Sequence, residues 1–369
     1  MSPLRNKKIC LICMKLSGGG VPRSTATISR ILENLGHEVH IVTILNGVDY
    51  NYSGKLFNLE EKREFHSALF RKVFKWRMLK KYFKKENFDL IIDNRTRIQF
   101  FKELTFQKML FRDSKVLSVV HSGNIKNYLP VNRQYFKFLY NKNYLLGVSQ
   151  HIQNKIQELY GVKSLYVYNA IDVQENTQLS TNHISVDFKY ILFSGRIDEG
   201  VKNLHLLISS YEASVLSVNN IHLIIMGDGP DKESLIHFVR QRKLEESIHF
   251  ITYDPNPFPF MKKALFTVLT SRYEGFPMIL LESLSVGTPT ISVDGISGPS
   301  EIIQDGFNGL LVENHNPLKL AEAFNKLVRD ESLYLKCKSN AKQSVQRFDI
   351  SEITKDWAYV LKQIFNDND

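Results

Sequence analysis

The chain has 369 residues, 43% of them hydrophobic, and carries 48 Lys and Arg against 38 Asp and Glu, a formal charge of +10. That length and apolar content suffice for two domains that each bury a core, whereas three cysteines are too few for a disulfide scaffold. No run of about 18 apolar residues exists to span a bilayer, and the first short apolar run ends in glycines, unlike a signal peptide, so a cytoplasmic protein is expected.

Charge is uneven along the chain. Residues 1–170 hold 29 Lys and Arg against 12 Asp and Glu, a net +17, and the remainder is −7. A basic half of that size implies a polyanionic neighbour, either nucleic acid or an anionic membrane surface.

Lys8 to Leu16 reads as a first buried strand. Cys10 and Cys13 lie within it, three apart and so on opposite faces, which favours packing over a shared metal or redox pair. Gly18, Gly19 and Gly20 follow, then Ile28, Ile31, Leu32 and Leu35 at helical spacing, and a second strand from Glu38 to Ile44. This is a βαβ unit, which predicts a parallel sheet with ligands at the carboxyl ends of its strands. Arg23 stands where a dinucleotide fingerprint would place its third glycine, which counts against a dinucleotide enzyme.

Residues 69–85 hold eight Lys or Arg, with Leu69, Val73, Trp76, Leu79 and Phe83 on one helical stripe. The stripe packs on the sheet, or it lies on an anionic bilayer as basic amphipathic helices do, and the two readings are partly compatible. Strands at Leu90–Asp93 and Val116–Val120 come next. His121 follows the latter at its carboxyl end, as a structural hydrogen-bonding group or a ligand contact. An aromatic and basic stretch runs from Arg133 to Lys142, and Gly147 to Ser149 opens another strand-to-helix passage. The polar segment Gln174 to Asp187 reads as a linker or surface loop.

The second half repeats the alternation without a sequence repeat. Strand Tyr190–Phe193 leads into Gly195 and Arg196, with Lys202 at the start of a helix. Two cations there are plain surface charges or a diphosphate clamp. Strand Ile221–Met226 ends in Gly227-Asp228-Gly229-Pro230, and strand His249–Thr252 follows. Leu265–Leu269 then leads through Glu274-Gly275-Phe276-Pro277 into a helix closed by Gly287. Glycine permits close approach to a ligand, and the helix start offers free N–H groups to an anion. Glu274 would sit at the turn and Glu282 about two helical turns on; each alone is equally an ordinary helix acid. Asp349 to Phe365 reads as an amphipathic helix.

Taken together, Glu274-Gly275-Phe276-Pro277 with Glu282, Gly287-Thr288-Pro289, Gly298 to Ile303 and Gly306-Phe307-Asn308-Gly309 resemble the retaining, nucleotide-sugar-dependent glycosyltransferases of GT-B fold. The likeness is greatest to bacterial enzymes that build lipopolysaccharide core or capsule. The resemblance implies an α/β fold of two Rossmann-like parallel-sheet domains facing across a cleft. An acceptor domain would span 1–170 and a donor domain 171–348, with a terminal helix, 349–369, crossing back to the first.

By the same resemblance, Gly19 and Gly20 touch donor phosphates or acceptor, and His121 contacts the donor sugar. Gly195, Arg196 and Lys202 hold the pyrophosphate, Gly227 and Gly229 line the nucleotide pocket, and backbone at Thr252 meets the base. Gly275 and the amides of Phe276, Met278 and Ile279 complete the cradle. Pro277 stands where many relatives have glycine and offers no N–H. Glu282 binds the ribose, and Glu274 meets the sugar near the reacting centre. The implied reaction moves a hexose, UDP-linked, to a glycan or lipid-linked oligosaccharide at the inner face of the cytoplasmic membrane, with retention. No cofactor and no metal are expected, since the one Asp-x-Asp, Asp367 to Asp369, falls in a terminus prone to fraying.

Three rivals remain open. A glycoside hydrolase would use two carboxylates but leave the cation pair idle. A nucleic-acid-binding protein would explain the basic half only, and a nucleotide-sugar sensor would share the binding residues without transfer.

Overall fold

The computed structural model describes residues 6–60, 68–295, 297–313 and 316–366. The chain forms two compact units. One runs to Ala170 and takes up the chain again from Ile350, and the other is Ile171–Asp349.

Unit 1 is built on a seven-stranded sheet: β1 Lys8–Cys13, β2 Glu38–Thr43, β3 Lys55–Asn58, β4 Leu90–Asp93, β5 Lys115–Val120, β6 Tyr144–Gly147 and β7 Leu165–Tyr166. Their order is β3-β2-β1-β4-β5-β6-β7, and all pairings are parallel. The near-continuous apolar runs follow from this, because crossover helices cover both faces of a parallel sheet. Cys10 and Cys13 are both fully buried, and burial pushes the Cys13 thiol up to about 12. Both are packing groups. β1 is shorter than expected, since Met14 turns out of the strand and its carbonyl accepts from the amides of Ile44 and Leu45.

The basic helix exists, as Ala68–Glu86, but its stripe divides. Leu79 and Phe83 are buried with Cys10, Ile12 and Ile91 of the sheet, and Trp76 meets Phe106 edge-on at 5.8 Å. Val73 instead is exposed, as is Phe70; the side chain of Leu69 lies outside the described residues. The stripe around Trp76 therefore serves the core. Helix Ile350–Asn366 buries Ile353, Trp357, Val360, Leu361 and Ile364 at the spacing of one helical face. Lys115 Nζ donates to its Ile364 carbonyl, which ties this helix to β5 within unit 1.

A buried ionic network follows β4. Arg95 forks onto Asp93, with Nε and Nη2 each 2.8 Å from a carboxylate oxygen, and Nη2 also reaches Glu103. Arg97 donates to the carbonyls of Tyr128, Asp93, Arg95 and Val119. All four charged groups are buried, two of each sign.

Unit 2 carries a six-stranded parallel sheet: β8 Lys189–Ser194, β9 Ile221–Met226, β10 Ile248–Ile251, β11 Thr267–Leu269, β12 Thr290–Asp294 and β13 Gly309–Glu313, ordered β10-β9-β8-β11-β12-β13. The segment Gln174 to Asp187, expected as a linker or surface loop, is in part helical, within helix Val173–Leu179. Its cap Asp172 accepts from the Glu175 amide, and Val173 and Asn176 are buried. Polar composition concealed the cap signal, an Asp with an acid three residues on.

Candidate active site

In unit 2, three loops at the carboxyl edge of the sheet interlock. The loop after β8 is pinned to the loop after β9: the Ile197 amide donates to the Asp228 carbonyl and the Glu199 amide to Asp231. Approach is so close that a Cβ on Gly227 would lie 1.9 Å from the Gly195 carbonyl oxygen, and one on Gly229 2.0 Å from that of Ile197. These two glycines thus have a packing reason for being glycine. The same loop is stitched to the one after β11, where Thr270 donates to the Lys202 carbonyl and the Arg272 guanidinium to Asn203 Oδ1.

Lys202 ends the short helix Glu199–Lys202, and Asn203 takes a left-handed turn at φ 53°. This geometry aims the Lys202 ammonium at Glu274, with Nζ 2.6 Å from Oε1 and both side chains less than one-fifth exposed. Glu274 opens the turn into helix Met278–Ser285, whose first turn has no side-chain cap and no acid. Its leading N–H groups, those of Met278 and Ile279, carry the positive end of the helix dipole. Pro277 at the cap position contributes none. The turn is braced from outside: Ser297 donates its hydroxyl to the Glu274 carbonyl, and Gly298, at φ 92°, sits where a Cβ would be 2.6 Å from Pro277 Cδ.

Phe276 is 3% exposed and meets Phe348 edge-on, so its side chain is core while its backbone shapes the turn. Glu282 is also buried, at 7% exposure, inside the same helix. Arg196 is different: it is mostly exposed and lies 3.6 Å from Asp198. The structure thus brings Lys202, Glu274 and the helix start together and leaves Arg196 at the rim. Thr252 directly follows β10, and the next amide, of Tyr253, donates to Asp228.

In unit 1 the carboxyl edge holds Gly19 and Gly20, where helix Gly20–Asn34 begins with neither a capping side chain nor an acid in its first turn. Gly19 has φ 92° and open space on its Cβ side. His121 follows β5. Its Nε2 is 2.8 Å from Asn94 Oδ1; that oxygen accepts, so Nε2 carries the hydrogen and Nδ1 keeps a lone pair. His121 Nδ1 and Asn94 Nδ2 are both buried without a hydrogen-bond partner among the described residues. A buried orphan of this kind costs stability unless something else uses it. Asn94 was missed in the sequence, where nothing marks an Asn one residue past a strand.

Burial first, and then the nearby Arg97 guanidinium, lowers the His121 pKa from 6.5 to about 3. Below pH 6.5 the unfolded chain takes up a proton that the folded ring refuses, so stability falls as the pH drops and is flat above. Between pH 7 and 5 this one group should remove about 2 kcal/mol. His121→Gln should lose correspondingly less over that interval in urea titrations at the two pH values; an unchanged acid sensitivity would mean the folded ring protonates.

The metal-ligand-type cluster found among the described residues, Glu38, His40 and Glu86, sits at the amino ends of the strands. Lys8 and Lys55 already neutralise it. Asp367 to Asp369 lie outside the described residues.

Two family models match the chain: Glycosyltransferase Family 4 over residues 18–175 and Glycosyl transferases group 1 over 174–344. The chain is 28% identical over 365 residues to a Campylobacter jejuni N-acetylgalactosamine-N,N'-diacetylbacillosaminyl-diphospho-undecaprenol 4-alpha-N-acetylgalactosaminyltransferase, covering 95% of this chain and 98% of the relative. It is 24% identical to an amylovoran biosynthesis glycosyltransferase of Erwinia amylovora, covering 96% and 99%. Anabaena HepE, solved in complex with UDP-glucose, superposes with a TM-score of 0.78 at 17% identity, covering 97% of this chain and all of that one.

Proposed function

From the premise that this chain is a glycosyltransferase of GT-B fold, with a Family 4 domain followed by a group 1 domain, we propose that it is a retaining enzyme. It transfers a hexose-type sugar from a UDP-linked donor to a lipid-linked bacterial surface glycan. The observation that carries the reading is the Lys202–Glu274 pair set against the uncapped start of helix Met278–Ser285. A diphosphate leaving group accumulates negative charge as the sugar departs. One ammonium and a set of fixed N–H dipoles, held in place beforehand by the interlocked loops, are the electrostatic partners that such charge needs. The UDP donor is supported by the Anabaena neighbour's bound UDP-glucose, and the lipid-linked acceptor by the diphospho-undecaprenol in the Campylobacter relative's name.

In this mechanism the acceptor hydroxyl attacks the anomeric carbon on the face from which the diphosphate leaves. The new C–O bond forms as the carbon–phosphate-oxygen bond breaks, and the hydroxyl proton passes to the departing phosphate oxygen. Glu274 faces the sugar, where positive charge develops. Glu282 holds the ribose equally before and during reaction. Neutral His121, with its free Nδ1 lone pair, accepts a hydrogen bond from a sugar hydroxyl.

A nucleotide-sugar panel read by thermal shift tests the donor, because a ligand that binds only the folded chain raises its stability. Turnover of the best donor should persist in EDTA, since Lys202 and the helix N–H groups take the place of a divalent cation. Strict dependence on added Mg²⁺ or Mn²⁺ would overturn the metal-free mechanism, and binding without release of nucleoside diphosphate would favour a sensor.

A further inference from the structure

Two histidines meet on the sheet of unit 2, at the end of the strands remote from the Glu274 turn. Residues two apart along a strand share a face of the sheet. Strands β9 and β10 pair Leu223 with Ile248 and Ile224 with His249, so His222, two residues before Ile224, stands on the same face as His249 and diagonally from it. The rings touch: His222 Nδ1 is 2.8 Å from His249 Nε2, with ring centroids 5.0 Å apart. Phe188, just before β8, lies against both rings, at 4.3 Å from His222 and 4.9 Å from His249. That wall is itself fixed, since Phe188 packs on the core that holds Tyr190 and Ile224.

Among the described residues, neither ring pairs with or hydrogen-bonds to an acid, and both are half-buried, so solvent reaches them. Burial, and then the neighbouring His222, lowers the His249 pKa from 6.5, so that ring is neutral at pH 7 and has a lone pair to offer. A neutral pair of this kind is joined by one proton, which one nitrogen donates and the other accepts. A metal ion in the proton's place bonds to both nitrogens. With bonds of about 2.0–2.1 Å and an angle between square and tetrahedral, the nitrogens need to stand roughly 2.9–3.4 Å apart. That is a few tenths of an ångström beyond the 2.8 Å observed. The cluster of Glu38, His40 and Glu86 in unit 1 differs, because the Lys8 ammonium already stands 3.6 Å from Glu38 and 3.2 Å from Glu86.

We propose that His222 and His249 bind one divalent transition-metal ion of the imidazole-preferring kind, Cu²⁺, Ni²⁺ or Zn²⁺, across strands β9 and β10. Two imidazoles without a carboxylate select against Mg²⁺ and Ca²⁺, which take oxygen ligands. Water fills the remaining positions, so the ion exchanges with solution, unlike one held at a four-ligand structural site. His222 lies four residues before Met226, the carboxyl end of β9, which is roughly 13 Å at the rise of a parallel strand. The ion therefore takes no part in sugar transfer, and its binding stands or falls apart from the transferase reading. Its effect is on the fold. β10 is an edge strand, paired with β9 alone, and a metal bridge adds a second fastening that only the folded chain possesses.

The test is calorimetric titration of the whole chain, stripped with EDTA and desalted, with Ni²⁺. His222→Gln and His249→Gln should each weaken the tightest site at least about 10-fold, since loss of a group merely behind a metal ligand already costs that much. His183→Gln and His237→Gln, which remove exposed histidines elsewhere on unit 2, should bind as the wild type does. Added Ni²⁺ should raise the melting temperature of the wild type and not that of His222→Gln/His249→Gln, and Mg²⁺ should raise neither. Bound Cu²⁺ supplies a measurement that needs no variant: its electron paramagnetic resonance spectrum should show hyperfine coupling to two imidazole nitrogens. Three results would each overturn the proposal. They are wild-type Ni²⁺ affinity in either single variant, coupling of Cu²⁺ to fewer than two imidazole nitrogens, and a wild-type melting temperature indifferent to Ni²⁺.

Discussion

Glu274→Gln is expected to lower kcat by about 10²–10³-fold, the usual cost of removing a group that stabilises charge developing in the transition state, while the donor's KM changes little. The side chain is held in place by Lys202 at 2.6 Å and its backbone by Ser297, so the amide should keep the position and lose the charge. Stability should fall by about 1 kcal/mol, because the pair is partly exposed and such pairs contribute modestly. Glu282→Gln should show the other pattern. A contact made equally in the ground and transition states moves KM and spares kcat. Steady-state kinetics with the best donor checks both. A reversed pattern would exchange the two roles, and near-normal activity in both folded variants would remove this turn from the reacting centre.

The second large effect concerns stability. Asp93→Asn should destabilise unit 1 by about 3–5 kcal/mol, since it leaves the buried Arg95 and Arg97 with Glu103 as their one remaining acid. Arg95 loses a forked partner, and the cations stay buried. For a unit of this size that is a fall in melting temperature on the order of 10 °C. Donor-induced stabilisation of unit 2 should be retained, which distinguishes a local ionic defect from general misfolding. A loss below about 1 kcal/mol would mean that the network is incidental to the fold.

The parts of this molecule that could be read from sequence are those whose physics is periodic or punctuated. The apolar runs of β4, β9 and the strand before His121 announce buried parallel strands, and the turn at Glu274 to Pro277 announces a helix start that the structure shows at Met278. What escaped depends on contacts distant in sequence. The basic helix looked like one continuous stripe, yet Val73 and Phe70 face out while Leu79 and Phe83 face in, because only its second half meets the sheet. Asn94 gains meaning only from His121, which neighbours it through the pairing of β4 with β5. The pairing of Asp93, Arg95, Arg97 and Glu103 escaped as well, since a hydrophobicity pattern has no signal for charges that satisfy one another in the interior. The first part of the segment Gln174 to Asp187 reads as linker or surface loop yet is helical to Leu179, because a short capped helix of polar residues has the composition of a loop.

The interlock around Gly195, Gly227 and Gly229 has a consequence for anyone who wishes to change what this protein accepts. A carbonyl of one loop occupies the space where the next loop would need a Cβ, and Thr270 and Arg272 fasten the third. None of the three can be lengthened or exchanged alone without leaving its neighbours uncoupled. Chimeras should therefore transplant residues 195–203, 227–231 and 270–277 as a single cassette, and libraries that randomise one loop in the native background should yield mostly inactive clones.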